Sequence, residues 1–150
     1  MSAAPSTVRS GNLTIAELEG LIDAGEIDTV IVAFADMQGR LVGKRVAARL
    51  FREEVAAHGA ECCNYLLAVD VEMNTVAGYA LSSWDTGYGD MVMQPDLGTL
   101  RRIPWLPATA LVIADLMRMD GGTVAPSPRH ILQQQIDRLA AHGLVPYVGT

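Results

Sequence analysis

The residues best suited to chemistry are concentrated in one stretch, from Glu61 to Asp96. It contains both cysteines and three of the four tyrosines. The stretch has no steady period of 2 or 3.6, which predicts strands joined by loops, and binding or catalytic residues are often carried on loops. The candidate site residues in it are Asn64, Trp84, Asp85, Tyr88 and Asp90.

Asn64 and Asp90 are the two residues with the clearest chemical potential. Asn64 lies in the apolar run 63–69, which is predicted to be a strand. A buried amide left without partners costs about 1–3 kcal/mol, so Asn64 either bonds to neighbouring backbone or faces a surface that another molecule completes. Asp90 precedes a predicted short strand, 91–94, where it could cap a turn or contact a substrate. Both alternatives remain open for each residue.

Residues 70–89 are predicted to form a long loop, because they contain several glycines and serines. A loop of about 20 residues within a compact domain is uncommon and is usually functional or disordered. Trp84, Asp85 and Tyr88 are therefore predicted to belong to a substrate loop. The alternative is that the aromatic side chains only pack the loop.

The cysteines and histidines form no recognisable metal or nucleophile motif. Cys62 and Cys63 are adjacent, which does not suit an ordinary disulfide and is typical of a reducing compartment. They are predicted to be buried or half-buried structural thiols. The three histidines have no ligand spacing. No metal ligand is assigned.

Composition excludes several classes of function. The net charge is −6 and the 11 Lys and Arg residues form no stripe, which argues against a nucleic-acid partner. No apolar run reaches the roughly 18 residues of a membrane span, and the N-terminus lacks the apolar core of a signal peptide. We expect a cytoplasmic protein.

Periodicity predicts an α+β fold. A Thr14-x-x-Glu17 capping box opens a helix over 14–24, and strands are predicted at 28–35 and 41–47, followed by a helix at 49–58. The second strand of this hairpin is expected to expose its cations. Residues 100–107 are a proline-bounded connector with Trp105 as its anchor, and 108–116 form a strand.

The C-terminal part is predicted to contain a helix capped by Ser127, with Pro128 at its first position, after a tight turn at 120–122. Its predicted buried stripe consists of Leu132, Ile136, Leu139 and Ala140. Residues 145–150 are predicted to form a strand. The expected organisation is a disordered N-terminus (1–12), an α+β domain (13–99), a linker (100–107) and the incomplete start of a second domain (108–150).

Four segments, in order, resemble the N-terminal part of the glutamine synthetase family. They are DMQGRLVGKR, YGDMVMQPD, TLRRIPWLPATALVIADL and VAPSPRHILQQQIDRL running into YVGT. The resemblance covers residues 13–150 and implies a β-grasp domain followed by the opening strands and helix of the catalytic α/β domain. It also implies that the metal-binding Glu-x-Glu pair lies after Thr150.

The resemblance implies an ATP-dependent ligase that joins the γ-carboxylate of glutamate to ammonia or an amine through γ-glutamyl phosphate. Phosphorylation creates a leaving group, while Mg²⁺ or Mn²⁺ offsets the clustered charge. It further implies a homo-oligomer, a dodecamer of two hexameric rings, in which this domain closes the active site of a neighbouring subunit. The 150-residue piece alone is expected to be inactive.

In typical family members one aspartate helps to bind and deprotonate ammonium, and a second lies near it. The second matches Asp90, and the first falls on Asn64, whose neutral amide cannot act as a base. Asp70 is the alternative counterpart. This departure resembles the branch that joins glutamate to polyamines, ethanolamine or other amines. A non-catalytic β-grasp interaction module is a further alternative.

Overall fold

The computed structural model describes residues 12–82 and 87–149. Among them, six strands form one mixed sheet with helices packed against it. The helices are α1 (Ile15–Asp23), α2 (48–58) and α3 (Pro128–Ala141). The strands are β1 (Thr29–Ala35), β2 (Leu41–Ala47), β3 (Ala60–Cys63), β4 (Asp90–Pro95), β5 (Arg101–Arg102) and β6 (Thr109–Arg118).

Strand β6 organises the sheet, whose order is β2-β1-β6-β4-β3. Its first half runs parallel to β1, with Val32 opposite Val112, and its second half runs antiparallel to β4, with Met93 opposite Leu116. The short strand β5 also pairs with its first half. Because β3 pairs with β4, the chain that leaves β3 and the chain that enters β4 emerge at the same point, with Cys63 opposite Asp90.

The core lies between one face of the sheet and helices α1 and α2. Alternate residues of a strand share a face, so Val30, Val32 and Phe34 of β1 all enter the core. Helix α1 contributes Leu18 and α2 contributes Phe51, and both are fully buried. This agrees with a mixed α and β fold of the β-grasp type.

The N-terminal predictions are confirmed closely. The capping box forms, because Thr14 Oγ accepts from the Glu17 amide and Glu17 accepts from the Thr14 amide. The hairpin strands match within one residue. Helix α2 also forms, with a π-helical turn at Phe51–Val55, and ends at Gly59, whose positive φ of 75° favours glycine. An added Cβ there would lie 2.5 Å from Val92 Cγ1.

The predicted strand over 63–69 is wrong. Strand β3 ends at Cys63, and a 3₁₀ turn, Asn64–Leu67, follows it. Only the end of the run is buried, at Leu67, Ala68 and Val69, and Val69 forms an isolated bridge with Thr75. A short apolar run alone does not distinguish these two conformations.

Several C-terminal predictions are also wrong. Helix α3 begins at Pro128 as expected, but Ser127 makes no side-chain capping bond, and no described residue of α3 is buried. Within the predicted stripe, Leu132 is 60% exposed. Residues 145–149 form no strand, since none of the described strands pairs with them. Trp105 is 83% exposed, and the buried residues of the connector are Leu100 and Ile103 instead.

Strand β6 belongs to the same sheet as β1 to β4, although the sequence analysis placed residues 108–150 in another domain. The sheet therefore extends beyond residue 99. The division of the chain into domains stays a prediction, as does the disordered terminus 1–12, of which only Asn12 is described. Asn12 bridges to Arg101 and donates to the Gly98 carbonyl at 2.9 Å.

Candidate functional site

Asn64 joins three segments of the chain where β3 ends. Its backbone amide donates to the Gly89 carbonyl at 2.9 Å, and its side-chain Nδ2 donates to the Leu81 carbonyl at 3.1 Å. Its Oδ1 accepts from the Gly89 amide at 3.2 Å. The bonding to neighbouring backbone, one of the two alternatives for this amide, is therefore present. A contact between Asn64 and a substrate stays a prediction.

Asp90 follows Gly89, the residue to which Asn64 is bonded, and lies near Asn64. It is the first residue of β4, and it is exposed. Both residues line a groove of about 440 Å³, whose other lining residues are Ala80, Leu81, Met91, Arg118, Met119, Asp120 and Val124. The two catalytic candidates are thus brought together.

The same groove contains an ion pair that sequence reasoning missed. Arg118 Nη2 lies 2.6 Å from Asp120 Oδ2. A hydrogen bond from the Gly122 amide, followed by the bond and charge of Arg118, lowers the pKa of Asp120. The charged lining residues are two carboxylates, Asp90 and Asp120, and one guanidinium, which gives the groove a formal charge of −1. That balance suits a cationic ligand such as a protonated amine.

Of the three predicted substrate-loop residues, the structure describes only Tyr88. Its ring contacts that of Tyr65 edge to face, with centroids 5.9 Å apart and an interplanar angle of 85°. This pair lines a second pocket of about 240 Å³ beneath the loop. Trp84 and Asp85 lie outside the described residues.

The β1–β2 turn holds the start of the long loop through a buried carboxylate. Asp36 is 1% exposed and accepts from the Gln38 and Arg40 amides, each at 2.9 Å, and from Arg40 Nε at 2.7 Å. Burial alone would raise its pKa, but the hydrogen bonds from Arg40 and Gln38 and the charge of Arg40 outweigh that effect. The pKa of Asp36 is therefore lowered, and the group is a carboxylate at neutral pH.

Arg40 extends from this carboxylate to the loop. Its Nη1 donates to the Val71 carbonyl at 2.7 Å and its Nη2 to the Asp70 carbonyl at 3.3 Å. Gln38 Nε2 adds a bond to the Val69 carbonyl at 3.0 Å. The sequence analysis assigned no role to Arg40. The Asp36 to Arg40 spacing across a Gly39 turn was the signal available for this pairing.

Asp70, the alternative counterpart of the ammonium-site aspartate, organises the same loop. Its Oδ1 accepts from the Glu72 and Asn74 amides, each at 2.9 Å. The backbone bond from Asn74 is the largest of the effects that lower the pKa of Asp70. Asp70 does not line the groove of Asn64 and Asp90. Whether Asn64 or Asp70 matches the first aspartate of the family stays a prediction.

The cysteines are both free, and they differ in environment. Cys62 is buried, which raises the pKa of its thiol to about 11, so it is not a nucleophile at neutral pH. Cys63 is exposed, so the prediction of a buried or half-buried thiol holds only for Cys62. Cys63 lines a third groove together with Lys44, Tyr65 and Asp90.

Within residues 12–82 and 87–149, no group of three His, Cys, Asp or Glu residues is placed to hold a metal ion. The described residues therefore do not fit a catalytic metal centre.

No helix in the same part of the chain is long and apolar enough to cross a membrane.

Comparison with known proteins identifies the relatives of this chain. Over 148 residues it is 57% identical to the γ-glutamylethanolamide synthetase GlnA4 of Streptomyces coelicolor, covering 99% of this chain and 32% of that protein. It is 33% identical to a glutamate–isopropylamine ligase of a Pseudomonas species, over 89% of this chain and 29% of the ligase. The chain belongs to the glutamine synthetase family. The resemblance stated from its motifs is thereby confirmed.

Solved structures support the fold. A complex of GmaS with ADP matches with a TM-score of 0.63 at 22% identity, over 85% of this chain and 26% of that one. A glutamine synthase homologue matches with a TM-score of 0.67 at 19% identity, over 77% of this chain and 27% of that one. The present chain spans about a third of the length of the curated relatives it matches. No family model matches it.

Proposed function

We propose that the chain is the N-terminal part of an ATP-dependent ligase that joins the γ-carboxylate of glutamate to an amine through γ-glutamyl phosphate. The observation that carries the proposal is the 57% identity, over nearly the whole chain, to a γ-glutamylethanolamide synthetase. The second relative is likewise a glutamate–amine ligase by name. Glutamine synthesis from ammonia is the second candidate, because a type-1 glutamine synthetase of Dictyostelium discoideum is 28% identical over 120 residues.

The groove of Asn64 and Asp90 is the proposed place where the acceptor amine arrives. Its net negative lining attracts a protonated amine, and the exposed Asp90 carboxylate can accept a hydrogen bond from it. Asn64 supplies no negative charge, since its amide is neutral. We assign Asn64 the role of positioning Leu81 and Gly89, to which it is bonded, and Asp90 the contact with the amine.

The remaining machinery is proposed to lie outside residues 1–150. The ligands of ATP and of Mg²⁺ or Mn²⁺ are proposed to lie after Thr150, a proposal supported by the chain's covering 32% and 29% of the two relatives. We further propose a cytoplasmic homo-oligomer, a dodecamer of two hexameric rings, in which this groove faces the active site of an adjacent subunit. The alternative of a non-catalytic module predicts a natural chain without catalytic residues.

The test uses the full-length protein with glutamate, ATP and Mg²⁺, and measures phosphate release with ammonium, ethanolamine and polyamines in parallel. We expect release with an amine that exceeds release with ammonium. Release with ammonium alone would favour glutamine synthesis, and failure of every acceptor would favour the non-catalytic module. Residues 1–150 alone are expected to give no ATP-dependent ligation.

A further inference from the structure

Lys44 is an exposed cation near Asp90, the carboxylate proposed to contact the amine. It lies on strand β2 and lines the third groove, of about 330 Å³. The other residues that line this groove are Glu61, Cys62, Cys63, Tyr65, Leu66 and Asp90. Asp90 also lines the groove assigned to the amine. The two grooves therefore share Asp90, and Lys44 stands on the side of Asp90 away from Asn64.

No described carboxylate is paired with Lys44. Within residues 12–82 and 87–149, the salt bridges do not include its ammonium group. The electrostatics of Cys62 show that Lys44 and Asp90 act on the same small region. Burial raises the pKa of the Cys62 thiol most strongly, the charge of Lys44 lowers this pKa, and the charge of Asp90 raises it. An unpaired positive charge therefore lies in the neighbourhood of Asp90.

The proposed reaction needs the acceptor amine without its extra proton. A protonated amine has no electron pair with which to attack γ-glutamyl phosphate, yet nearby carboxylates stabilise this charged form. A nearby cation has the opposite effect and favours the neutral amine. Among the described residues that line the two grooves, the cations are Lys44 and Arg118, and Arg118 is paired with Asp120 at 2.6 Å. Lys44 is therefore the cation whose charge is least offset.

We propose that Lys44 is a positioning residue for the ligation, because its charge acts on the amine held at Asp90 and favours loss of a proton from the ammonium group to solvent water. The nitrogen keeps its electron pair. That pair then forms the bond to the γ-carbonyl carbon as the bond from this carbon to the phosphate oxygen breaks. The inference rests on the proposed function and adds a residue to it. In the competing explanation Lys44 is a solvated surface cation to which the amine does not respond.

The test changes the charge at residue 44 in the full-length protein. Phosphate release is measured over a pH series with glutamate, ATP, Mg²⁺ and ethanolamine or, if the wild type uses only ammonium, with ammonium. Lys44→Gln should move the rise of kcat to higher pH by about 0.3–0.7 units, the effect of one charge in a partly exposed site. At neutral pH, kcat and the KM for the amine should both fall about two- to fivefold, because the ammonium form binds better and reacts less.

Three further variants separate charge from structure. Lys44→Glu should shift the profile about twice as far as Lys44→Gln, since it changes the charge by two. Lys44→Arg keeps the charge and should keep the wild-type profile. Arg45→Gln is the matched control and should also leave the profile unchanged, because adjacent strand residues face opposite sides and Arg45 does not line the third groove.

The outcomes distinguish this inference from the proposed function. Coincident pH profiles for wild type and Lys44→Gln would overturn the inference and leave the proposed function standing. A lower kcat with a higher KM in Lys44→Gln would do the same, because it indicates lost binding rather than a changed protonation equilibrium. No phosphate release by the wild type with ammonium, ethanolamine or polyamines would overturn both.

Discussion

The β1–β2 turn and helix α3 both combine charged and apolar residues, but of the two only the turn buries a side chain among the residues that the structure describes. In the turn, Asp36 is buried and has three donors, and Arg40 links it to two carbonyls of the loop. In α3 no described residue is buried. Its first turn is tied to the sheet by Arg129, which bonds Asp115 at 2.8 Å and also pairs with Asp96.

The difference shows where the stability of each region comes from. The turn needs nothing beyond residues 12–82 to satisfy its buried charge. Helix α3 leaves Ile131 and Leu132 exposed, and the following segment leaves Val145 and Tyr147 exposed. Helices gain most of their stability by burying an apolar face, so we predict that α3 is less stable than the turn in the part of the chain that the structure describes.

Asp36→Ala should produce the largest loss of stability. It removes a buried carboxylate and leaves the backbone amides of Gln38 and Arg40, and the 36% exposed Arg40 side chain, without their acceptor. Because each hydrogen bond to a charged group contributes about 1.5–3 kcal/mol, we expect a total loss of about 3–5 kcal/mol. Urea denaturation would measure the change in the free energy of unfolding. Asp23→Ala, which breaks an exposed pair with Arg52, is the matched control and should cost under about 1 kcal/mol.

Arg40→Lys should loosen the loop more selectively. Lysine keeps the charge beside Asp36 but cannot reach Val71 and Asp70 with two separate nitrogens. We expect a loss of about 2 kcal/mol, the scale of hydrogen bonds to a charged group. Hydrogen exchange should accelerate at 69–76 and stay unchanged in β6. Equal exchange in wild type and variant would show that the loop does not depend on Arg40. Arg102→Lys, on an exposed pair, is the control.

Acid should reduce the stability that Asp36 gives to the β1–β2 turn. The folded pKa of Asp36 is lowered from its ordinary value of 3.8, so its stabilising contribution is fully present above that value. The contribution is lost as the pH falls through the lowered folded pKa. Because other carboxylates titrate too, the useful quantity is the difference in urea midpoint between wild type and Asp36→Asn. We expect this difference to shrink as the pH drops below 3.8, and a constant difference would contradict the assignment.

The same contrast explains which features the sequence could predict. Thr14 and Glu17 act on neighbours three residues away, and the β1–β2 hairpin is local, so spacing alone was sufficient. Leu132 was predicted to be buried because periodicity reveals an apolar face, but periodicity does not reveal what covers that face. The pairing of Asn64 with Leu81 and Gly89 depends on segments brought together by folding, for which the sequence carries no local signal.

The smallest effect is expected in α3, where Leu132→Ala in the 150-residue chain should change the free energy of unfolding by less than about 0.5 kcal/mol. The reason is that Leu132 is already exposed to solvent. Leu18→Ala, the matched control in the core, should cost about 2–5 kcal/mol. A large loss in the short chain would show that α3 buries this face. In the longer protein, a cost for Leu132→Ala close to that of Leu18→Ala would show that residues beyond Thr150 cover the helix.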